Sequence, residues 1–413
     1  MKLLLISCGG TIVSPVSDGG VQAAEKATAD AVERLTKAIL PPEMLLELNR
    51  RSDEDYTEAP NVAQSRIDLV MEQTGSGELT TVKKPARARV PPLARVITLF
   101  DVDSTEVGPA HWGKVVDCIL KYYDDFDGFI VTHGTNTLAY TASALTFGLP
   151  RIGKPVVMTG ANLPLGLPFS DATVNASNAL LLVHKMIAEG RGGVVVVFAS
   201  RVMPGPRAKK ANGTELEAFT TFNAPNIGQM RPKKTVIIDG EFNKYVADRN
   251  PESPWYQQGL VKDAAELRKE SHADFGAIIS SHTFHPGDDP ASYLAVMEML
   301  EVKRRNTGLR GALIVRAVGD GDVSHLIQDQ VFVRAKQLQI PIVVTTQEPG
   351  GTSSFTGNKQ SEGAEDKFAV IPAWDMSIET MVVKLRYLLA KGLPYADIHG
   401  EFVKSYHGEI RRR

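Results

Sequence analysis

Short, almost wholly apolar runs, spaced by segments of helix length, limit this chain more than any other feature. Leu3–Ser7, Gly128–Thr132, Pro155–Thr159 and residues 194–199 are apolar nearly throughout. A strand with both side-chain rows apolar must be covered on both faces, the condition of a parallel sheet between helix layers. Residues 112–123, 137–149 and 172–189 lie between these runs and read as helices. The order is that of a doubly wound α/β domain. The first strand could be taken for a signal peptide. However, its apolar run is too short for one and passes straight into Gly9-Gly10-Thr11.

At 413 residues the chain exceeds what one hydrophobic core serves, so a second domain is expected. The first domain is placed at 1–235. A charged, irregular connection containing Asn250-Pro251-Glu252-Ser253-Pro254 follows at 236–274, and a smaller α/β domain at 275–413. Strands of the smaller unit are expected at 277–280, 311–315 and 340–345. Its last helix carries Ile378, Met381, Val382, Leu385, Leu388 and Leu389 on one stripe, with Asp375 or Ser377 as cap and Gly392 as stop. Residues 24–90 stand apart: helix-like stretches, then a polar run around Gly75 and a basic run from Lys83 to Arg89, read as a long, partly mobile insertion.

Bulk properties exclude several roles. A formal charge of −2 offers no field for nucleic acid or a membrane surface. No apolar run is long enough to span a bilayer. Two cysteines, Cys8 and Cys118, make no disulfide framework and fit a reducing, cytoplasmic compartment. No Walker loop, GxGxxG or HExxH is present. His282 and His285 have no further ligand at metal spacing and read as structural.

Open α/β sheets bind ligands beyond the carboxyl ends of their strands. After the first strand comes Cys8-Gly9-Gly10-Thr11-Ile12; after Gly128–Thr132 comes His133-Gly134-Thr135-Asn136-Thr137, opening a helix. Each places a hydroxyl on a tight turn, the second at a helix N-terminus whose free N–H groups suit an oxyanion. Such residues also occur in plain turns and caps. Two of these turns in one domain favour chemistry. A threonine needs a base, and Lys210, in Arg207-Ala208-Lys209-Lys210 beyond the 194–199 strand, is a candidate.

These segments, in this order, resemble those of the bacterial L-asparaginases and glutaminase-asparaginases. Further matches are Asp103-Ser104-Thr105, Thr159-Gly160-Ala161, Ser170-Asp171-Ala172, Lys210-Ala211-Asn212-Gly213-Thr214, residues 311–316, Gln347 and Ala373-Trp374-Asp375-Met376-Ser377. The resemblance is closest to the cytosolic type and covers nearly the whole chain apart from the insertion and part of the linker. It implies hydrolysis of a small amide to a carboxylate and ammonia, without metal or cofactor, in a homodimer or homotetramer built from close dimers. It implies Thr11 as nucleophile and Thr135 with Lys210 as the second catalytic pair. It further implies Ser104 at the substrate carboxylate and Ala161 at the reacting amide, with Thr105, Gly134 and Asn136 also binding the substrate.

Two positions depart from the family pattern. Asn136 stands where the motif has an aspartate that binds the substrate ammonium and supports the lysine. An amide facing an ammonium forfeits a charge-assisted bond of about 1.5–3 kcal/mol. By count, Val21 falls where the family has its lid tyrosine; Tyr56, in the insertion, is the candidate substitute. The expectation is therefore an amidohydrolase for a substrate lacking a free α-ammonium: an N-acylated asparagine, a simple amide, an imide or a lactam. Ordinary asparaginase activity, a ligand-binding homologue without turnover, and an ammonia-supplying component of an amidotransferase are the competing readings.

Overall fold

The computed structural model describes residues 2–13, 16–17, 20–21, 48–52, 63–67, 94–165, 167–231, 236–238, 259–355 and 367–411. The apolar runs are strands. β1 (Leu3–Ser7), β6 (Ala94–Thr98), β7 (Gly128–Thr132), β8 (Pro155–Thr159) and β9 (Gly193–Phe198) are parallel, in the spatial order β6-β1-β7-β8-β9. Alternate residues serve opposite cores. Leu4, Ile6, Phe129, Val131, Val156 and Met158 pack under α1 (Pro109–Lys121) and α2 (Leu138–Gly148). Leu3, Leu5, Ile130, Val157 and Val195 pack under α3 (Ala172–Ala188). Both side-chain rows are buried, so continuous apolarity was the correct signal of a covered parallel sheet.

Register sets where the loops begin. Ser7 lies opposite Thr98 and Thr132, and Thr132 opposite Thr159. This hydroxyl row crosses four strands at one level, so the four following loops leave the sheet side by side.

Antiparallel strands extend both edges. Beyond β9 lie β10 (Arg201–Pro204), β13 (Gly228–Met230) and β14 (Val236–Ile238). Beyond β6 lie β5 (Ala63–Ile67) and β4 (Leu48–Ser52). These last two fall in the segment read from sequence as helix-like. Leu-Asn-Arg-Arg-Ser has little intrinsic strand preference; the ladder to β5 makes it a strand, since β-propensity yields readily to context. The rest of 24–90 lies outside the described residues. Two short strands, β2 (Val16–Ser17) and β3 (Gly20–Val21), form a hairpin just after Thr11.

The smaller sheet is wholly parallel: β15 (Ile278–Thr283), β16 (Gly311–Ala317), β17 (Ile342–Thr346) and β18 (Ile371–Pro372). Helix α4 (Ala264–Glu270) precedes it. α5 (Pro290–Thr307) covers one face with Tyr293, Met297 and Leu300, and α6 (Ile378–Ala390) covers the other with Met381, Leu385 and Leu388. Ser377 caps α6, accepting from the Thr380 amide at 3.3 Å, and Gly392 turns the chain away at φ 73°. Asp375, the other cap candidate, has a different task, described below. His282 and His285 both face the Asp288 carboxylate, at 3.3 and 3.8 Å.

α2 joins the two sheets. Nearly all of its residues are buried, in keeping with a sequence that is uncharged and largely apolar. Leu138, Ala142 and Leu145 belong to the larger core. Ala144 and Phe147 pack with Phe275, Ala312, Leu385 and Tyr387 of the smaller one. The second threonine turn opens this interdomain helix.

Candidate active site

Three loops converge through glycines. Gly9 and Gly10 adopt φ 73° and 87°, a region open to glycine at little cost. A methyl on Gly10 would lie 2.4 Å from the Cα and N of Gly134. One on Gly134 would lie 2.6 Å from Ser104 Cβ, and one on Gly9 2.9 Å from the Val102 carbonyl oxygen. The Thr11 turn, the Thr135 turn and the Ser104 loop thus meet backbone to backbone, closer than any side chain allows.

The Ser104 loop is braced on itself. Asp103 Oδ1 accepts from the Thr105 amide at 2.8 Å and the Thr105 hydroxyl at 2.6 Å; these bonds hold the Asp103 carboxyl below its ordinary pKa. Thr137 Oγ1 donates to the Ser104 carbonyl at 2.5 Å, tying the loop to the N-terminus of α2. Ser104 is buried, and its hydroxyl makes no hydrogen bond among the described residues. Thr105, expected beside it at the substrate, has its hydroxyl committed to Asp103.

The second threonine has a lysine in contact. Lys210 Nζ donates to Thr135 Oγ1 at 2.8 Å and to Asn136 Oδ1 at 2.8 Å. Lys210 ends β11 (Ala208–Lys210), which pairs with β12 (Phe219–Thr221). Burial lowers its pKa from the free-lysine value. A carboxylate at 136 would oppose that shift by favouring the ammonium; a neutral amide exerts no such pull. The lysine is therefore easier to deprotonate here than beside an aspartate.

Neighbouring side chains hold the turn. His133 is fully buried, with Nδ1 2.8 Å from the Gly134 oxygen and Nε2 2.9 Å from Thr141 Oγ1. Burial pushes its pKa down to about 4, so it is neutral at physiological pH. The fourth loop packs against it: a methyl on Gly160 would lie 2.4 Å from the His133 oxygen. Ala161, at this bend, is fully buried. Asp171 fixes the loop by accepting from the amides of Asn162 and Leu163 at 2.9–3.1 Å. Asn175 adds a bond to the Gly160 oxygen at 2.9 Å.

Of the residues expected from sequence, Thr135, Asn136 and Lys210 are in direct contact. Ser104, Gly134 and the Thr11 turn adjoin them, and Ala161 sits on the next loop. Thr11 itself makes no hydrogen bond among the described residues. The Val21 side chain and Tyr56 lie outside those residues. The bracing roles of His133, Asp171 and Asn175 were missed. Their sequence signal was only polarity inside otherwise apolar or helical patterns, which does not name a partner.

The arrangement has two hydroxyls on apposed turns, a depressed-pKa lysine on one of them, and amide groups at a helix N-terminus. It suits attack on a carbonyl with proton transfer. Among the described residues no group of side chains suits a metal ion, and no helix is long and apolar enough to cross a membrane.

Residues 2–242 match the model of the asparaginase N-terminal domain, and residues 280–402 that of the glutaminase/asparaginase C-terminal domain. The chain is 28% identical to L-asparaginase 1 of Escherichia coli, over 75% of this chain and 82% of that one. It is 27% identical to one of the subunits of the Glutamyl-tRNA(Gln) amidotransferase of Aeropyrum pernix, over 84% of this chain and 77% of that one. Among solved structures, the thermostable L-asparaginase from Thermococcus kodakarensis superposes with a TM-score of 0.69 at 24% identity, with both chains fully covered.

Proposed function

The chain belongs to the asparaginase family, amidohydrolases acting on carbon–nitrogen bonds other than peptide bonds, and on that premise we propose that it hydrolyses a small amide lacking a free α-ammonium. The observation that carries this reading is Lys210 shared between Thr135 and the neutral side chain of Asn136. An ammonium brought against Asn136 finds no countercharge there. Its loss of a charge-assisted bond corresponds to roughly tenfold to a few hundredfold in selectivity. An N-acylated asparagine, a simple amide, an imide or a lactam has no such ammonium to place.

In this reading Thr11 Oγ attacks the carbonyl carbon, and the C–N bond breaks as its nitrogen takes a proton, leaving as ammonia from a simple amide and staying tethered in the opened ring of an imide or lactam. The resulting ester on Thr11 is hydrolysed by water, leaving the free carboxylate and regenerating the hydroxyl. Lys210 takes and returns the proton through Thr135. The Ser104 hydroxyl binds the substrate carboxylate, with Gly134 and Ala161 shaping the pocket. No cofactor takes part. The enzyme works in the cytoplasm as a homodimer or homotetramer.

A second reading, that the chain supplies ammonia to a partner enzyme, draws on the similarity to the Aeropyrum pernix amidotransferase. The deciding experiment is ammonia release by the purified chain from L-asparagine, L-glutamine, N-acetyl-asparagine and succinamic acid, with ring opening of succinimide followed separately. Turnover of the ammonium-free substrates, with Asn136→Asp shifting preference toward L-asparagine, is expected. Preference for L-asparagine by the unaltered chain would return it to ordinary asparaginase activity. Silence of the chain alone, relieved by a co-purifying enzyme, would favour the second reading.

A further inference from the structure

The short strand that carries Lys210 cannot position it unaided. β11 has three residues and among the described residues pairs only with β12, itself three residues long. Two such strands hold no fixed geometry in water without tertiary support. Part of that support is the larger core, where Ala208, Ala218 and Phe219 are buried, and the rest comes from the other domain. Arg207, immediately before β11, is 1% exposed. Its Nη1 donates to Asp375 Oδ2 at 3.0 Å and to the Asp375 carbonyl at 3.0 Å; its Nη2 donates to Asp375 Oδ1 at 3.2 Å, and its Nε to the Gly408 carbonyl at 2.9 Å. The flanking residues are held too. Thr380 Oγ1 donates to the Pro206 carbonyl at 2.6 Å, and Lys209 Nζ lies 3.5 Å from the Glu379 carboxylate.

The C-terminal tail closes this grip. The Arg411 amide donates to Asp375 Oδ1 at 2.9 Å. The tail is anchored in turn by Glu409, whose carboxylate meets Lys384 Nζ at 2.7 Å with both side chains fully buried. Glu409 also accepts from the Tyr406 and His407 amides at 3.0 and 2.7 Å. Burying two ion pairs is costly in desolvation, and well-packed apolar residues often serve stability equally well. A bidentate arginine–carboxylate pair, however, fixes direction as well as distance.

We infer that Arg207, Asp375 and the tail at 404–411 form a strap that positions Lys210, making Asp375 a positioning residue for the reaction from the second domain. The inference rests on the reading of Lys210 as the proton-handling group. Its prediction is nevertheless separable: loosening the strap frees the lysine whether or not the lysine is catalytic.

Asp375→Asn keeps the shape and removes the charge. Arg207→Met combined with Asp375→Leu removes both charges together and leaves no unpaired ion. Each folded variant is treated with limiting acetic anhydride, and acetylation of Lys210 relative to exposed Lys262 is read by peptide mass spectrometry. Relative labelling of Lys210 is expected to rise by about threefold or more. On the amide turned over best, kcat should fall about tenfold or more with KM within about twofold, since misplacement by an ångström is felt in the chemical step. Unchanged Lys210 labelling in either folded variant overturns the strap. Lys210→Met run alongside tests the other premise: if it keeps the full rate, the catalytic reading fails while labelling still decides the strap.

Discussion

The two threonine turns leave neighbouring strands at the same level and touch through their glycines, yet they are held very differently. Thr135 has a lysine at 2.8 Å, a buried neutral histidine beneath it, a helix starting three residues on, and Thr137 tying that start to the Ser104 loop. Thr11 stands on a short 3-10 turn followed by a small hairpin and makes no hydrogen bond among the described residues. The Thr135 turn lies in the larger domain, and the strand of its lysine is braced from the second; the apposed Thr11 turn meets it backbone to backbone through two glycines. On the proposed roles, the proton-handling half is held by side-chain hydrogen bonds and the attacking half by backbone contact.

Thr11→Ala and Thr135→Ala offer the largest test of that contrast. Each should lower kcat by about a thousandfold or more, because neither hydroxyl substitutes for the other. The Thr135 variant should also free Lys210 from one hydrogen bond and raise its acetylation, whereas the Thr11 variant should leave it unchanged. Near-full ammonia release by Thr11→Ala would make Thr135 the nucleophile and reverse the roles of the two turns.

The next largest effect concerns acid stability, and belongs to the Thr135 turn alone. The native pKa of His133 is depressed to about 4, below an unfolded value near 6.5. Between those values the unfolded chain binds a proton that the native chain refuses. Its contribution is therefore complete above pH 6.5 and is lost as pH falls to 4, about 3 kcal/mol in all. Urea titrations of the wild type and His133→Gln at several pH values should show this slope in the difference between them. Parallel curves would mean that His133 titrates normally and braces nothing.

The smallest effect separates two adjacent residues of the third loop. Thr105→Val removes one brace on Asp103 and should cost about 1 kcal/mol with activity within about twofold. A large rise in KM from that substitution would place Thr105 at the substrate after all.

Much of the site was readable in the chain because its parts obey local rules. Gly9 and Gly10 mark a bend that requires positive φ, and Gly134 a close backbone approach. Thr11 and Thr135 follow apolar runs that could only be buried strands. Other parts were not readable for a definite reason. Asp171 is placed like a helix cap, but its carboxylate serves the Asn162 and Leu163 amides instead. Asp375 is placed like one too, and Ser377 does the capping. A carboxylate near a helix start has one local use and many distant ones, and spacing along the chain records only the local use. β4 and β5 were unreadable because their strand character comes from a neighbouring edge.

The sequence by itself determined the layered α/β architecture, the two hydroxyl-bearing turns and the neutral residue at 136. These follow from which side chains must avoid water and which backbone angles a residue permits. Only the tertiary structure decided that Lys210 meets Thr135 across 75 residues and that Arg207 meets Asp375 across 168. Those contacts depend on the order in which strands enter the sheets and on how α2 docks one sheet against the other. Both are set by packing summed over the whole molecule, and no short stretch of chain encodes that sum.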